Sequence, residues 1–354
     1  IALGSDTDYY GVPGARENTR PFKTLVDAMS LRARVVELFE MAEQAQTEAQ
    51  RRQLLAFAIV GGGVTGVEVA AELIEMARET LLPKYPSIHA SHLSVSLIEA
   101  GDRLVTTARP EHSSYVRRFL ERRGVLVRTN SRVSRVEPRR VFLAGGQSLD
   151  AFTIVWTAGV CPPDVVKRLP VEHIPDGRVR VDEHLHAIGP DGRPFENVYV
   201  IGDCAAADRG DGTWQPRLAQ TSVAMGSYLG DSLVREAGGR GIEPFGFRDT
   251  GYIISLGKHS SVVDLFGFRT SGRLAWLAWA AAYLIKMVGF RKQIEVGLDH
   301  LTHLFFEHDS SQIMSRRQVL SDDELDLSLG TPAAAEPAPT RDRDLVAHGR
   351  RGDA

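Results

Sequence analysis

Five consecutive apolar residues, Ala56 to Val60, predict a buried strand. Behind them come glycines at Gly61-x-Gly63-x-x-Gly66 and a helical stretch from Val67 to Leu82. Leu93, Val95 and Leu97 alternate with small polar residues and end on Glu99, a second strand. Between them LLPKYPSIHASH reads as a surface insert. Upstream, residues 22–50 carry Ala28, Leu31, Val35, Leu38 and Ala42 on one stripe and predict a single helix. Downstream, the pattern gives a helix over Pro110–Arg123, a strand at Gly124–Val127 and a hairpin-like pair, Val141–Leu143 with Phe152–Trp156. Short strands follow near Val179–Val181 and Asn197–Ile201, with Ala205–Ala207 opening a helix.

Strand, glycine turn and helix in that order form a dinucleotide-binding fingerprint. Gly61 allows the tight turn, Gly63 admits a pyrophosphate to the backbone, and Gly66 lets the helix approach the strand. Glu99 ends the second strand, where a carboxylate accepts both adenosine ribose hydroxyls. It therefore favours NADH over NADPH, with Arg103 a partial counterweight. The alternative is a solvated strand-end acid.

The composition, 43% hydrophobic and 25% charged over 354 residues, is that of a folded chain exceeding one ordinary domain. A net charge of −3 gives no field for nucleic acid. Cys161 and Cys204 are the two cysteines, so neither a disulfide framework nor a zinc site is indicated. His300, His303 and His308 lack cysteines or spaced acids beside them, and no metal is expected. The cytosol is the expected compartment.

A second nucleotide signal lies at Gly202-Asp203, after an apolar strand. There the carboxylate could meet ribityl hydroxyls of a flavin, or simply cap a turn. The ALGS and TAG turns, with Gly4 and Gly159, stand at matching strand exits. Ile1–Ser5 itself reads as the end of a strand with nothing before it to pair with.

ALGS…GVPG, VGGGVTGVEVAAEL, LIEAGDRL, WTAGV, NVYVIGDCAA, LAQ and VGFRKQI, in this order, resemble the type II NADH dehydrogenases, non-pumping NADH:quinone oxidoreductases, over residues 1 to about 315. The resemblance implies an α/β fold with two dinucleotide-binding domains, a Rossmann-like NADH domain inserted in an FAD domain, plus C-terminal amphipathic membrane helices. It implies FAD and NADH as cofactors and a membrane quinone as acceptor. It places Glu68, Gln220 and Lys258 near the flavin or quinone. Cofactor contacts fall to Gly61, Gly63, Gly66, Glu99, Gly159, Gly202, Asp203, Ala219, Gln220 and Gly4. The family's first FAD glycine motif is absent here, and Ser222 and Met225 replace the family's alanine and glutamine after Ala219-Gln220. The expected division is 1–54, remnant of the FAD domain and a connecting helix; 55–159, NADH domain; 160–245, second part of the FAD domain; 246–320, membrane-associating region; and 321–354, a disordered tail. Two alternatives stay open, a sulfide:quinone oxidoreductase-like enzyme, which the cysteines invite, and a non-catalytic nucleotide-binding fragment.

Leu274–Phe290 is apolar apart from Lys286 and, at about 26 Å, too short for a ~30 Å hydrocarbon core. Trp276, Trp279 and Tyr283 form an aromatic face suited to the headgroup boundary. Ile294, Leu298, Leu301 and Phe305 predict a second amphipathic helix. Peripheral association through 273–306, on the cytoplasmic face of the inner membrane, is the expectation, with a homodimer left open. An ordinary dimer or core helix is the competing reading.

Overall fold

A computed structural model describes residues 1–286, 295, 316–321 and 324. Apart from Glu295, Ser321 and Glu324, the predicted second amphipathic helix, the three histidines and the tail lie outside the described residues.

After a two-residue strand β1 (Asp6–Thr7) and a turn of helix α1 (Ala15–Asn18), strand β2 (Arg20–Pro21) leads into helix α2 (Leu25–Gln44). Helix α3 (Glu48–Leu54) follows separately. The single helix expected over 22–50 is thus two. Thr24 with Asp27 caps the first, and Thr47 with Gln50 caps the second. The second capping box satisfies amide donors of a new helix start, which favours a break at Ala45–Thr47.

Strand β3 (Ala56–Val60), helix α4 (Val64–Glu75), β4 (Ser94–Ile98), α5 (Pro110–Arg122) and β5 (Val125–Arg128) follow as the pattern predicts. Helix α4 continues as a π-helical turn, Met76–Leu81, that ends ahead of Pro83. The insert behind it is partly buried. Ile88 is covered, and His92, fully enclosed, holds Glu48 at 2.7 Å.

Strands β6 (Val133–Glu137), β7 (Arg140–Leu143) and β8 (Ser148–Asp150) form an antiparallel sheet, and β9 (Thr153–Trp156) joins the parallel one. The expected pairing of Val141–Leu143 with Phe152–Trp156 does not occur. All four residues of β9 are buried, which fits the interior of a parallel sheet better than a hairpin arm. The parallel order is β2-β9-β3-β4-β5. Thus β2 belongs to the nucleotide sheet, and Leu31 to Ala42 of α2 share its core with Phe57, Ile59 and Leu97.

Next come β10 (Val160–Cys161), α6 (Asp164–Lys167), β11 (Val179–Arg180), β12 (His186–Ile188), β13 (Pro194–Tyr199) and β14 (Ala205–Ala206). Ala205 opens no helix. It pairs in parallel with Val179, and helix α7 starts only at Ala219, running to Ala237. Ile1 pairs with a later segment: its nitrogen donates to the Tyr199 carbonyl, and its own carbonyl accepts from Ile201 N.

Strands β15 (Gly251–Ser255), β16 (Ser261–Leu265) and β17 (Phe268–Gly272) make an antiparallel sheet, followed by helix α8 (Arg273–Lys286). Ile254, Leu256 and Val262 join the nucleotide core. Val319 and Leu320, from the short helix Arg316–Val319 and just beyond, join it too. There Glu324 forms a bidentate pair with buried Arg34, at 2.5 and 2.8 Å. Burial alone would raise the Glu324 carboxyl, but Arg34 outweighs it and holds it at about 2.

Candidate functional site

The nucleotide turn sits at the carboxyl end of β3. Gly61 has a φ of +111°, and a Cβ there would strike the Ala158 backbone. A Cβ on Gly66 would run into the Gly61 carbonyl, so this position fixes how closely α4 meets the turn. Gly63 meets nothing, and the helix start behind it has no side-chain cap. Open space over uncapped amide donors suits an anionic phosphate. Glu99 lies beside this turn. Its carboxylate accepts from Gly62 N and Gly101 N, each at 2.6 Å, and it stands where ribose hydroxyls could join. Arg103 is held away, donating to the Ala108 and Thr106 carbonyls.

Asp203 is assembled from distant parts. Ser5 Oγ donates to Asp203 Oδ2 at 2.6 Å. Lys23 Nζ donates to Ser5 at 2.9 Å and stands 3.7 Å from the same carboxylate oxygen. Gly4, at φ +67°, accepts the Cys204 thiol through its carbonyl, which braces the back of the Gly202-Asp203 turn. Met225 is fully buried with its sulfur 3.2 Å from Gly202 N, and Ser222 lies against Gly202. The two departures from the family pattern therefore pack beneath this turn.

Between the two turns lies a cavity of about 420 Å³. Thr65, Thr157 and Gly159 line it from the nucleotide side, and Thr7, Lys23, Asp203 and Arg217 from the other. Gly159 is forced by contact, because a Cβ would meet the Tyr10 hydroxyl. A carboxylate held by Ser5 and Lys23, on a cavity wall that also carries Arg217, fits a flavin's ribityl and phosphate groups. The Gly63 opening fits a nicotinamide dinucleotide. Among the described residues no group of three or more His, Cys, Asp or Glu could hold a metal ion.

Strand β15 and the loop after it gather the remaining candidates. Gln220 Nε2 donates to the Gly251 carbonyl at 2.9 Å, and its Oε1 accepts from Thr250. Glu68 accepts from Ser255 N at 3.0 Å, and Glu75 accepts from Lys258 N. Ala219 is the exposed first residue of α7. Burial raises the Glu68 and Glu75 carboxyls. Glu72 keeps an exposed edge, yet desolvation and the neighbouring Glu75 and Glu68 push it up to about 7. These acids fall at helical spacing, so α4 aligns them under β15.

The cysteines sit apart from these carboxylates. Cys204 is buried with its pKa raised by desolvation, and Cys161, half-buried, lies 3.5 Å from Lys167 Nζ. Sequence reasoning missed Lys23, Thr65, Thr157 and Arg217. Lys23 is a single cation ahead of a capping box, and nothing periodic distinguishes it. Ser5 was visible within the ALGS turn, though its bond to Asp203 was not.

Residues 1–226 match the pyridine nucleotide-disulphide oxidoreductase family, and the chain belongs to it. It is 29% identical over 314 residues to a probable NADH dehydrogenase of Dictyostelium discoideum, covering 88% of this chain and 68% of the relative. It is 28% identical over 305 residues to the type II NADH:quinone oxidoreductase Ndh of Mycobacterium tuberculosis, covering 83% of this chain and 64% of that one. The chain thus spans about two thirds of these relatives. Among solved structures, that of NDH2 from Plasmodium falciparum in complex with NADH is similar in fold, with a TM-score of 0.79 at 18% identity, covering 88% of this chain and 78% of that one.

Proposed function

We propose that this chain is the greater part of a non-pumping NADH:quinone oxidoreductase, taking hydride from NADH and passing electrons through FAD to a membrane quinone. The observation that carries the reading is one cavity reached from two nucleotide-type turns, Gly61–Gly66 with Thr157 and Gly159 on one side and Gly202-Asp203 on the other. Relatives named as NADH dehydrogenases support it.

In this reading Gly61, Gly63, Gly66 and Glu99 hold NADH. Gly4, Gly159, Gly202, Asp203, Ala219 and the Gln220 backbone serve the flavin. When bound, FAD supplies the two-electron chemistry that no side chain here can provide. Lys23, bonded to Ser5 and 3.7 Å from the carboxylate, orients Asp203. Glu68, its carboxyl raised by burial, accepts from Ser255 N on the acceptor side, where Gln220 and Lys258 also lie. The reaction balances as NADH, quinone and one proton giving NAD⁺ and quinol.

Among the described residues no helix is long and apolar enough to cross a membrane. Peripheral association through 273–306 is part of the proposal, on the cytoplasmic face. The exposed side of α8 carries Leu274, Leu277 and Ala281, whereas Trp276 turns onto His259 at 5.2 Å. Leu274 and Leu277 are therefore available to lipid on this side. The test is NADH oxidation by the flavin-loaded protein with a long-tailed and a short-tailed quinone. Reduction of both, lost in Asp203→Ala, is expected; NADH binding without any electron transfer would favour the non-catalytic reading.

A further inference from the structure

The turn joining β16 to β17 consists of Phe266 and Gly267, flanked by the Leu265–Phe268 pair. Both turn residues have left-handed backbone, φ +51° and +84°. A two-residue hairpin turn of this kind selects asparagine, aspartate or glycine at its first position, and a phenylalanine there is strained. Phe266 is also 86% exposed, and Phe268 is 60% exposed. The fold therefore spends backbone strain on holding a phenyl ring out into solvent, and no packing among the described residues compensates.

The tip is tied to the acceptor side. Phe266 N donates to the Thr250 carbonyl, and the Thr250 hydroxyl donates to Gln220 Oε1 at 2.8 Å. Val223, one helical turn beyond Gln220 on α7, is 69% exposed, and Leu218 just before the helix is 42% exposed. Apolar side chains thus ring the end of α7 where Gln220 sits. The charge around the hairpin is mixed: Asp264 on β16 pairs two guanidinium groups, Arg109 at 2.7 Å and Arg269 at 3.5 Å, and Glu111 and Asp249 lie close by.

We infer that the Phe266–Phe268 hairpin tip inserts into the headgroup boundary of a lipid bilayer, a membrane contact separate from α8, placed beside Gln220 so that a long-tailed quinone reaches the site from lipid. Two phenyls and a few valine and leucine side chains on a narrow tip are too little for a stable protein interface, which needs roughly 800 Å² per partner. They are enough to enter a lipid interface, where a small apolar area adds to the affinity of other anchors. This rests on the quinone-reductase reading above.

The experiment measures partition of the full chain onto phosphatidylcholine vesicles with and without phosphatidylglycerol. It compares the parent, Phe266→Asn, and the double variant Phe266→Asn/Phe268→Ser. Asparagine suits the left-handed position, so Phe266→Asn should keep or raise the unfolding temperature, which separates lost binding from lost folding. The expected result is a loss of about tenfold in partition for Phe266→Asn and more for the double variant, since each phenyl leaves an apolar environment. A parent that binds, with a double variant that binds equally, overturns the hairpin inference and leaves the quinone-reductase reading standing. Variants that change only self-association without lipid overturn it in favour of a second copy of the chain. A parent that ignores both kinds of vesicle overturns the membrane reading, and this inference with it.

Discussion

The nucleotide turn and the Asp203 turn do comparable work in different ways. The first is built by one stretch of chain: Gly61, Gly63, Gly66 and Glu99 lie within 39 residues, and the glycines are dictated by contacts with their own sheet. The second is built by residues from opposite ends of the fold, since Ser5 and Lys23 reach Asp203 across 198 and 180 positions of sequence. A site made locally survives as a recognisable spacing. A site made by long-range assembly shows only its most demanding member, here the Gly-Asp pair.

The largest effect should come from breaking the assembled site. Asp203→Ala removes the carboxylate that Ser5 and Lys23 hold, and leaves Lys23 Nζ without its nearest anion. Charge-assisted hydrogen bonds at about 1.5–3 kcal/mol each predict that flavin affinity falls by about 100-fold. The absorbance of bound flavin after gel filtration, against that of Lys23→Met, measures it. Lys23→Met should lose less, because Ser5 remains. Equal flavin retention in all three proteins would mean that Asp203 is only a turn residue.

The local site should break sharply at one glycine and softly at its neighbour. Gly66→Ala forces a methyl into the Gly61 carbonyl, which should cost about 1–3 kcal/mol and lower the unfolding temperature. Gly63→Ala has room, so stability should hold while NADH affinity drops. Thermal melts beside NADH titrations separate the two. Identical stability losses would show that Gly63 is structural after all.

These outcomes bear on how much was legible beforehand. Strands β3 and β4 and helix α5 match the pattern within a residue or two, whereas α4 begins at Val64, three residues ahead of the expected start, and gives way to a π-helical turn after Glu75. The position of Glu99 beside the glycine turn was legible too, because a strand-end acid there needs no partner from elsewhere. Strand β9 was misplaced because a short apolar run has the same appearance in a hairpin and in a parallel sheet. The Ala205 helix was misread because small residues after Gly202-Asp203 fit a helix start as well as a buried strand. The joining of Gln220, Glu68 and Lys258 by β15 was invisible, since the bonds use the backbone of residues 251–258, which carries no sequence signal. Capping at Thr47–Gln50 was present in the sequence and marks the break in the long helix.

A smaller effect is expected at the ribose acid. Glu99→Gln keeps the acceptor oxygen but removes the charge that repels a 2′-phosphate, and Arg103 is already committed to backbone carbonyls. The preference for NADH over NADPH, as a ratio of kcat/KM, should narrow by about tenfold, or 1.4 kcal/mol. A parent protein without preference would remove the assignment of Glu99 to ribose.

The smallest effect lies at the seam where α4 meets β15. Glu72 is held near 7, above its ordinary value of 4.5, first by desolvation and then by Glu75 and Glu68. The sign follows from proton binding. Between the two values the folded chain keeps this proton while the unfolded chain has released it, so folding stability falls as pH rises from about 4.5 through 7. Below that window both states are protonated, and the loss is complete above it. Because Glu72 keeps an exposed edge, solvent screens the effect, and under about 1 kcal/mol is expected. Glu72→Gln removes the titration, so chemical denaturation at closely spaced pH values should show a flatter curve over this window than in the parent. At the acid end the opposite slope remains: Glu324, depressed to about 2 against Arg34, stabilises the fold above 4.5 and ceases to as pH falls through 2. If Glu72→Gln leaves the neutral slope unchanged, the raised acid there is Glu68 or Glu75 rather than Glu72, and Glu68→Gln distinguishes them by also disturbing the hydrogen bond to Ser255.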